Sequence, residues 1–271
     1  MLRFPSAKIN LGLNIRSKRE DGFHELETVL YPIDLCDALE ILPSSELNLR
    51  VLGEPWTLPP GDHTCVKAWE ILHAMHNIPP VSIYLLKKIP SGAGLGGGSS
   101  DGAYTLVMLN ELFSLNLSTA ELERYALLIG SDAPFFVSSK PVTARGRGEI
   151  FESIPDRLRN YVVLIVVPSF QIQTAHAYSR VVPSPQQKSV AQIASQPPET
   201  WKGRLENDFE ATIFQEFPVL AQIKQALYTL RAVYASLSGS GSVVYGIFAD
   251  EPDTSSLKTF GTCLVTRSLN R

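Results

Sequence analysis

The sequence has few cysteines, and they form no pattern that would bind a metal or build a disulfide framework. The chain of 271 residues contains three, and Cys36, Cys65 and Cys263 lie far apart with no CxxC pair among them. Disulfide-rich secreted domains carry an even number of cysteines, and structural zinc sites carry them in closely spaced pairs. We therefore expect three reduced thiols in a cytoplasmic protein.

Long apolar runs and a strong charge of either sign are also lacking. The longest aliphatic run is VVLIVV at Val162–Val167, far shorter than the roughly 20 residues of a membrane-spanning helix. The first twenty residues alternate apolar and polar side chains, so we expect no signal peptide. The net charge is -3, with 19% charged residues, which gives no basic surface for nucleic acid or anionic lipid. We expect neither as a partner.

Strands and helices are both indicated, in an irregular order. The segment SAKINLGLNI alternates as a half-buried strand does, which places Lys8, Asn10 and Asn14 on one face. Segments with helical periodicity follow without the regular repetition of a doubly wound sheet, so the pattern favours an α+β fold. We predict a division into 1–153 and 154–271. The polar, proline-bearing stretch Val181–Thr200 suits an insertion or a loosely packed connection.

The cluster of glycines after the apolar segment VSIYLLKKI is the feature of the sequence that most directly indicates a function. Five of the seven residues from Gly92 to Gly98 are glycine, and Ser99 and Ser100 follow where helical periodicity begins. Glycine loses more conformational entropy on folding than any other residue. A strand, a glycine loop and a helix start together expose backbone N–H groups to an anion. The alternative is a tight turn packed against another backbone.

Three common phosphate-binding patterns do not describe this loop. The Walker A pattern needs a lysine where Gly98 stands. The dinucleotide pattern G-x-G-x-x-G is matched by Gly92, Gly94 and Gly97, but no strand ending in an acidic residue follows at the required distance. The protein-kinase loop requires an H-R-D segment, which the sequence does not contain.

The loop resembles instead the second motif of the GHMP kinases. PSGAGLGGGSSDGA at 90–103 matches that motif, PSAKINLGLNI at 5–15 resembles the first, and SLSGSGSVVYGIF at 236–248 resembles the third. The order and spacing agree. The resemblance implies a two-lobed fold, with an N-terminal ribosomal-protein-S5-like lobe and a C-terminal ferredoxin-like lobe, and an ATP-dependent kinase.

The resemblance also implies the residues of the active site. Lys8 matches a lysine that points into the site beside an aspartate, and Asp132 in IGSDAPFF matches that aspartate, although Asp132 alone suits a helix N-cap. Asp132 would accept the proton of the substrate hydroxyl. Mg²⁺ is an expected cofactor, with its ligands undetermined. The residues expected to bind ATP are Pro90, Ser91, Gly92, Ala93, Gly94, Leu95, Gly96, Gly97, Gly98, Ser99 and Ser100.

Finer features resemble one branch of the family, which phosphorylates a cytidine diphosphate sugar alcohol in isoprenoid precursor synthesis by the non-mevalonate route. REDGFHELETV at 19–29 and LENDFE at 205–210 belong to these features. By this resemblance His24 and Asn10 bind the cytosine side of the substrate, while Tyr178 and Phe23 stack on the base. Phe23 stands where the branch usually has tyrosine, and Gly102 where it usually has alanine.

Two alternatives remain open from the sequence. The chain could be another GHMP kinase, of the mevalonate or homoserine type, but those substrates have no base for residues such as His24 and Tyr178 to bind. It could also be a nucleotide-binding regulator without catalytic activity, against which the intact Lys8 and Asp132 argue. We expect a monomer or weak homodimer.

Overall fold

The computed structural model describes residues 1–53, 63–184 and 188–269. The strands, in chain order, are β1 (Leu2–Arg3), β2 (Ser6–Lys18), β3 (His24–Cys36), β4 (Ala38–Pro43), β5 (Asn48–Gly53), β6 (Val81–Lys87), β7 (Val142–Gly146), β8 (Ile150–Ser153), β9 (Val162–Val167), β10 (Tyr234–Leu237), β11 (Val244–Phe248) and β12 (Thr262–Arg267). The helices are α1 (Thr64–His76), α2 (Gly97–Leu112), α3 (Thr119–Ile129), α4 (Ala133–Ser138), α5 (Thr174–Arg180), α6 (Val190–Ala194), α7 (Glu210–Glu216) and α8 (Pro218–Thr229). The fold is α+β, as predicted.

The chain folds into two compact units that are discontinuous in sequence. Unit 1 comprises residues 1–7, 35–91 and 96–140, and unit 2 comprises 8–34, 92–95 and 141–271. Unit 2 joins segments from both halves of the chain, so these units do not follow a linear division. The split into 1–153 and 154–271 stays a prediction about family lobes.

Unit 1 packs helices against a sheet of order β1-β4-β6-β5. Strands β4 and β6 are antiparallel with Ile41 opposite Ile83, whereas β5 and β6 are parallel. Every second residue of β6 is buried, as expected for a strand with one face of its sheet in the core. Helix α3 begins with the capping box of Ser118 and Glu121 that its sequence predicts.

Gly102, which departs from the family pattern, has a packing reason. It lies in α2, and a Cβ atom there would lie 3.0 Å from Cγ2 of Ile129 and 3.1 Å from Cβ of Thr64. Helix α2 therefore approaches α1 and the end of α3 too closely for an alanine without a shift of its neighbours.

Unit 2 contains two sheets, of orders β2-β3-β7-β8 and β10-β11-β9-β12. The apolar run VVLIVV forms β9, which lies between β11 and β12 and is antiparallel to both. An interior strand has both faces buried, which accounts for a continuous rather than an alternating apolar run. Leu164 and Val166 belong to a core that includes Ile223 and Leu227 of α8.

The stretch Val181–Thr200 is better packed than its composition indicates. Residues 185–187 lie outside the described residues, but Val190, Ile193 and Ala194 form the buried side of α6. Their spacing of three and four residues places them on one face of a helix. The expectation of a loose connection is therefore wrong for the described part from residue 188 onward.

Within the three described ranges, every helix is too short or too polar to cross a bilayer. None of the three cysteines, all of which lie in the described ranges, is in a disulfide, and only Cys65 is fully buried.

Candidate functional site

Lys8 is buried and donates to its own strand and to the glycine loop. Its side chain lies on β2 and the residue is 3% exposed. Nζ donates to Oδ1 of Asn10 over 2.6 Å and to the carbonyl oxygen of Gly94 over 3.0 Å. The two-residue repeat of a strand places Lys8 and Asn10 on the same face, as predicted. A buried ammonium group needs such acceptors.

The first motif, the start of the glycine loop and the third motif meet within unit 2. The carbonyl oxygen of Gly94 also accepts from Oγ of Ser238 over 2.8 Å. The backbone N–H of Val243 donates to Ala93, and that of Lys8 donates to Leu95. The segment 92–95 is thus held on both sides by the two other motifs.

Two glycines permit this convergence. Gly94 has φ +85°, and a Cβ atom there would lie 2.1 Å from the carbonyl oxygen of Ser238. Gly239 has φ +56°, and its Cβ would lie 3.3 Å from Oδ1 of Asn10 and 3.5 Å from Nζ of Lys8. Side chains are strained at such φ values and would displace the neighbouring atoms. The third motif connects the antiparallel strands β10 and β11, and its turn also approaches Lys8 and Asn10 closely.

The second half of the loop leads into α2 in unit 1. Gly96 is the N-cap residue with φ +72°, so the first N–H groups of α2 rely on partners other than a capping side chain. Oγ of Ser100 is buried, and within the described residues it has no hydrogen-bond partner. Oriented amides, the helix dipole and this hydroxyl form an environment suited to a phosphate group.

The predicted ATP-binding residues share this loop geometry. Positive φ values of +65°, +85° and +72° occur at Gly92, Gly94 and Gly96. Ala93 and Leu95 are buried. Pro90 and Ser91 follow the end of β6, and the first turn of α2 contains Gly97, Gly98, Ser99 and Ser100.

Asp132 occupies the N-cap position of α4 in unit 1, as its sequence context indicates. Within the described residues its carboxylate makes no capping hydrogen bond to the helix. An N-cap aspartate normally accepts such a bond, so helix capping does not account for this residue. Lys8 belongs to unit 2, and the predicted pairing of the two side chains stays a prediction.

Two residues predicted to bind the nucleoside are neighbours in unit 2. The rings of His24 and Tyr178 stack with centroids 5.0 Å apart and planes 29° apart. This is the separation of directly stacked rings, so no third ring fits between them. Burial, together with the charge of Lys18, lowers the pKa of His24. The neutral imidazole has one donor and one acceptor nitrogen, and either of them can form a hydrogen bond with a base edge.

Phe23 lies beside a different partner. Its ring is about half exposed, and the guanidinium carbon of Arg147 is 4.7 Å from the ring centroid. This is a cation–π distance. The role of Phe23 as a second stacking surface stays a prediction.

Comparison with known proteins agrees with this arrangement. The GHMP kinases N terminal domain model matches residues 63–140, and the GHMP kinases C terminal model matches 189–259. The 4-diphosphocytidyl-2-C-methyl-D-erythritol kinase of Azobacteroides pseudotrichonymphae is 46% identical over 249 residues, covering 92% of this chain and 93% of that protein. The enzyme of the same name from Bacteroides fragilis is 45% identical over 260 residues, covering 93% of each. The chain belongs to the GHMP kinase family.

Solved structures of GHMP kinases agree with the assignment. A crystal structure of 4-(cytidine 5'-diphospho)-2C-methyl-D-erythritol kinase is 30% identical, covers all of both chains and gives a TM-score of 0.81. The mevalonate kinase of Methanococcus jannaschii, at 15% identity and a TM-score of 0.71, covers 100% of this chain and 98% of its own. This second likeness shows the fold alone. As a member of the family, the chain is an ATP-dependent kinase.

One site residue of this GHMP kinase was missed from the sequence. Nδ2 of Asn207 donates to the carbonyl oxygens of Leu237 and Gly239, each over 2.9 Å, and its Oδ1 accepts from the backbone of Phe209. Asn207 thereby fixes the glycine turn beside Lys8. Its presence in LENDFE was the available signal, but its partners lie about thirty residues away along the chain.

A second layer supports Asn10 in this GHMP kinase. Nδ2 of Asn10 donates to Oγ1 of Thr28 over 3.0 Å, and the hydroxyl of Tyr245 donates to the carbonyl oxygen of Asn10 over 2.7 Å. Both groups are buried. Because each polar atom has a partner, the orientation of the Asn10 amide is fixed before any ligand binds.

Proposed function

We propose that this protein transfers the γ-phosphoryl group of ATP to the 2-hydroxyl of 4-diphosphocytidyl-2-C-methyl-D-erythritol, giving the 2-phosphate and ADP for isoprenoid precursor synthesis. The observation that carries the proposal is the 46% identity, over nearly the full length of both chains, to a kinase named for that substrate. The stacked pair of His24 and Tyr178 supports it, because a base is the part of this substrate that aromatic rings would recognise.

In the proposed mechanism, the carboxylate of Asp132 accepts the proton of the substrate hydroxyl as its oxygen attacks the γ-phosphorus of ATP. The bond from that phosphorus to the β,γ-bridging oxygen breaks, and ADP leaves. Lys8 offsets the charge on the transferring phosphoryl group. Its hydrogen bonds to Asn10 and Gly94 hold the ammonium in place.

The start of α2 would bind the phosphates of ATP. Its backbone N–H groups and the buried hydroxyl of Ser100 supply donors. Ser99 and Ser100 would hold Mg²⁺ together with the phosphates, since Mg²⁺ in kinases takes oxygen ligands from the substrate and few from the protein. The ion would supply neutralisation of phosphate charge. A cytoplasmic location fits three cysteines that form no disulfide among the described residues.

The test is a coupled assay of ADP release on the purified protein with a panel of alcohols. The panel contains the cytidine diphosphate sugar alcohol, mevalonate and homoserine. We expect ADP release with the first alone, because the other two have no base to occupy the site at Tyr178. Turnover of mevalonate or homoserine in its place would contradict the proposed substrate.

A further inference from the structure

Unit 1 contains a buried cluster of charged side chains. Asp37, Lys87 and Asp101, here called the loop-end cluster, are each at most 2% exposed. Nζ of Lys87 donates to Oδ2 of Asp101 over 2.8 Å and also to Oδ2 of Asp37. Fully buried charges of this kind are rare and need close partners.

The members of the loop-end cluster stand at the two ends of the glycine loop. Lys87 is the last residue of β6, and Asp101 lies in the second turn of α2. Their ion pair therefore joins the residue before the loop to the helix after it. Oδ1 of Asp37 accepts from the backbone N–H groups of Lys88 and Ile89, so the cluster also fixes the first loop residues.

The helix start rests directly on the lysine. A Cβ atom at Gly97 would lie 3.3 Å from Nζ of Lys87 and 2.9 Å from Cγ2 of Ile89. The position of the first turn of α2, whose N–H groups point toward the proposed phosphate site, thus depends on where the Lys87 ammonium is held. A displacement of Nζ would be transmitted to Gly97 and so shift the first turn of α2, without replacing any of the groups that bind phosphate.

Stability alone is a poor explanation for the loop-end cluster. Two carboxylates surround one ammonium, and burial raises the pKa of Asp101, with Lys87 opposing and Asp37 adding to the rise. His63 and Cys65 are the other titratable groups around it, and burial keeps both uncharged at neutral pH. Replacing a buried ion pair by apolar residues is often neutral or stabilising. What the cluster supplies, and apolar residues would not, is a fixed geometry between two chain segments.

We propose that Lys87 and Asp101, with Asp37, are positioning residues that hold the two ends of the glycine loop in the ATP-binding conformation and thereby set the affinity for ATP. The proposal rests on the assignment of this loop to ATP. A glycine-rich loop has a large conformational entropy, and a loop ordered in advance loses less of it on binding. The effect should appear in ATP binding and not in the chemical step.

The experiment compares Asp101→Ala with Asp101→Asn. Both remove the charge of Asp101 and leave Lys87 paired with Asp37, so both should fold. Only the asparagine keeps an oxygen that accepts from Lys87. We expect Asp101→Ala to weaken binding of a non-hydrolysable ATP analogue ~tenfold, the effect of losing one charge-assisted hydrogen bond. The KM for ATP should rise with it, kcat at saturating ATP should be unchanged, and Asp101→Asn should stay near the unaltered protein.

Hydrogen exchange supplies a second readout. Amides of the loop should exchange faster in Asp101→Ala than in Asp101→Asn, while amides of β9 do not change. Unchanged analogue binding in Asp101→Ala, or equal losses in the two variants, would overturn the positioning role while the ATP site stands. If the unaltered protein failed to bind the analogue, the ATP assignment of the loop would fall, and the positioning role with it.

Discussion

At the scale of single residues, the proposed reaction depends most on Asp132, which accepts the proton of the substrate hydroxyl. Replacing it by asparagine keeps its shape at the start of α4 and removes the proton acceptor. We expect Asp132→Asn to lower kcat at least ~100-fold, the scale of losing a general base. The affinity for an ATP analogue should barely change, because the loop and the α2 start are untouched.

The readout for Asp132 is single-turnover rate by rapid quench, with analogue binding measured by calorimetry. Asp250→Asn is the matched control, since it removes an exposed aspartate in unit 2 and should leave both quantities unchanged. Near-normal turnover in Asp132→Asn would remove this residue from the mechanism.

His63 gives the protein a pH-dependent stability. It caps α1 by accepting from the N–H of Cys65, and burial, with the charge of Lys87, lowers its pKa from 6.5 to about 4. Between these values the unfolded chain binds a proton that the folded chain does not. The contribution of His63 to the free energy of unfolding is therefore complete above pH 6.5. As the pH falls to 4, this contribution is lost, and the free energy of unfolding decreases by an amount on the order of 3 kcal/mol.

This contribution is measured by urea unfolding at pH 7, 5.5 and 4. His63→Asn keeps a side-chain acceptor at the N-cap but does not titrate. The free energy of unfolding should fall less steeply with acid in the variant than in the unaltered protein. Parallel pH profiles would show that His63 contributes nothing to acid sensitivity.

At the scale of elements, the glycine loop offers a position where protein packing and ligand binding separate. Among the described residues, a Cβ atom at Gly98 would meet nothing within 4 Å. Gly98 lies in the first turn of α2, so a side chain there fits the protein. If the glycines are present for close approach of phosphate, Gly98→Val should weaken ATP-analogue binding at least ~tenfold and leave the Tm nearly unchanged.

Calorimetry and a thermal melt test the valine variant. Leu128→Val is its control, because it places the same β-branched residue at an exposed position of α3. Unchanged binding in Gly98→Val would assign this glycine to folding rather than to the nucleotide.

What the sequence predicts well at this scale is local. The glycine loop, the capping box of α3 and the strand β2 each depend on residues a few positions apart, so their patterns are visible along the chain. The prediction that β2 is half-buried was wrong, because both of its faces are buried from Ser6 to Ile15. The loop-end cluster was not predicted, because Asp37 and Lys87 are 50 positions apart and only the sheet brings them together. One local signal existed: Lys87 continues the buried face of Val81, Ile83 and Leu85.

Helix α6 shows the opposite limitation. Proline and glutamine dominate the stretch around it, so its composition indicated a connection. The composition does not show the contact that this helix makes with Glu27. This buried carboxylate of β3 accepts from Oγ of Ser189, the N-cap residue of α6, over 2.7 Å. A helix of five residues is stabilised by such tertiary contacts and not by its own propensity.

At the scale of the whole molecule, substrate identity is what distinguishes this GHMP kinase from relatives of the same fold. All members need an ATP loop and a reacting centre, so damage to either reveals nothing about the alcohol. The nucleoside residues are different. His24 and Tyr178 pack with Phe209 at a centroid distance of 4.9 Å from Tyr178, which gives unit 2 a rigid aromatic group beside the strand that carries Asn10.

A cytidine nucleotide should therefore compete with the alcohol substrate and leave ATP binding unaffected. A neutral imidazole that pairs with the cytosine edge leaves unpaired groups when uracil replaces cytosine, because the two bases exchange donor and acceptor at that edge, so UDP should inhibit far less than CDP. Tyr178→Ala should weaken CDP by about 1–3 kcal/mol through lost stacking, whereas His24→Ala should reduce the preference for CDP over UDP. Steady-state inhibition patterns against each substrate measure both effects, with Asp250→Asn again as the control. Equal inhibition by CDP and UDP, or CDP competing only with ATP, would contradict the cytidine substrate, and the kinase fold and its ATP loop would stand without it.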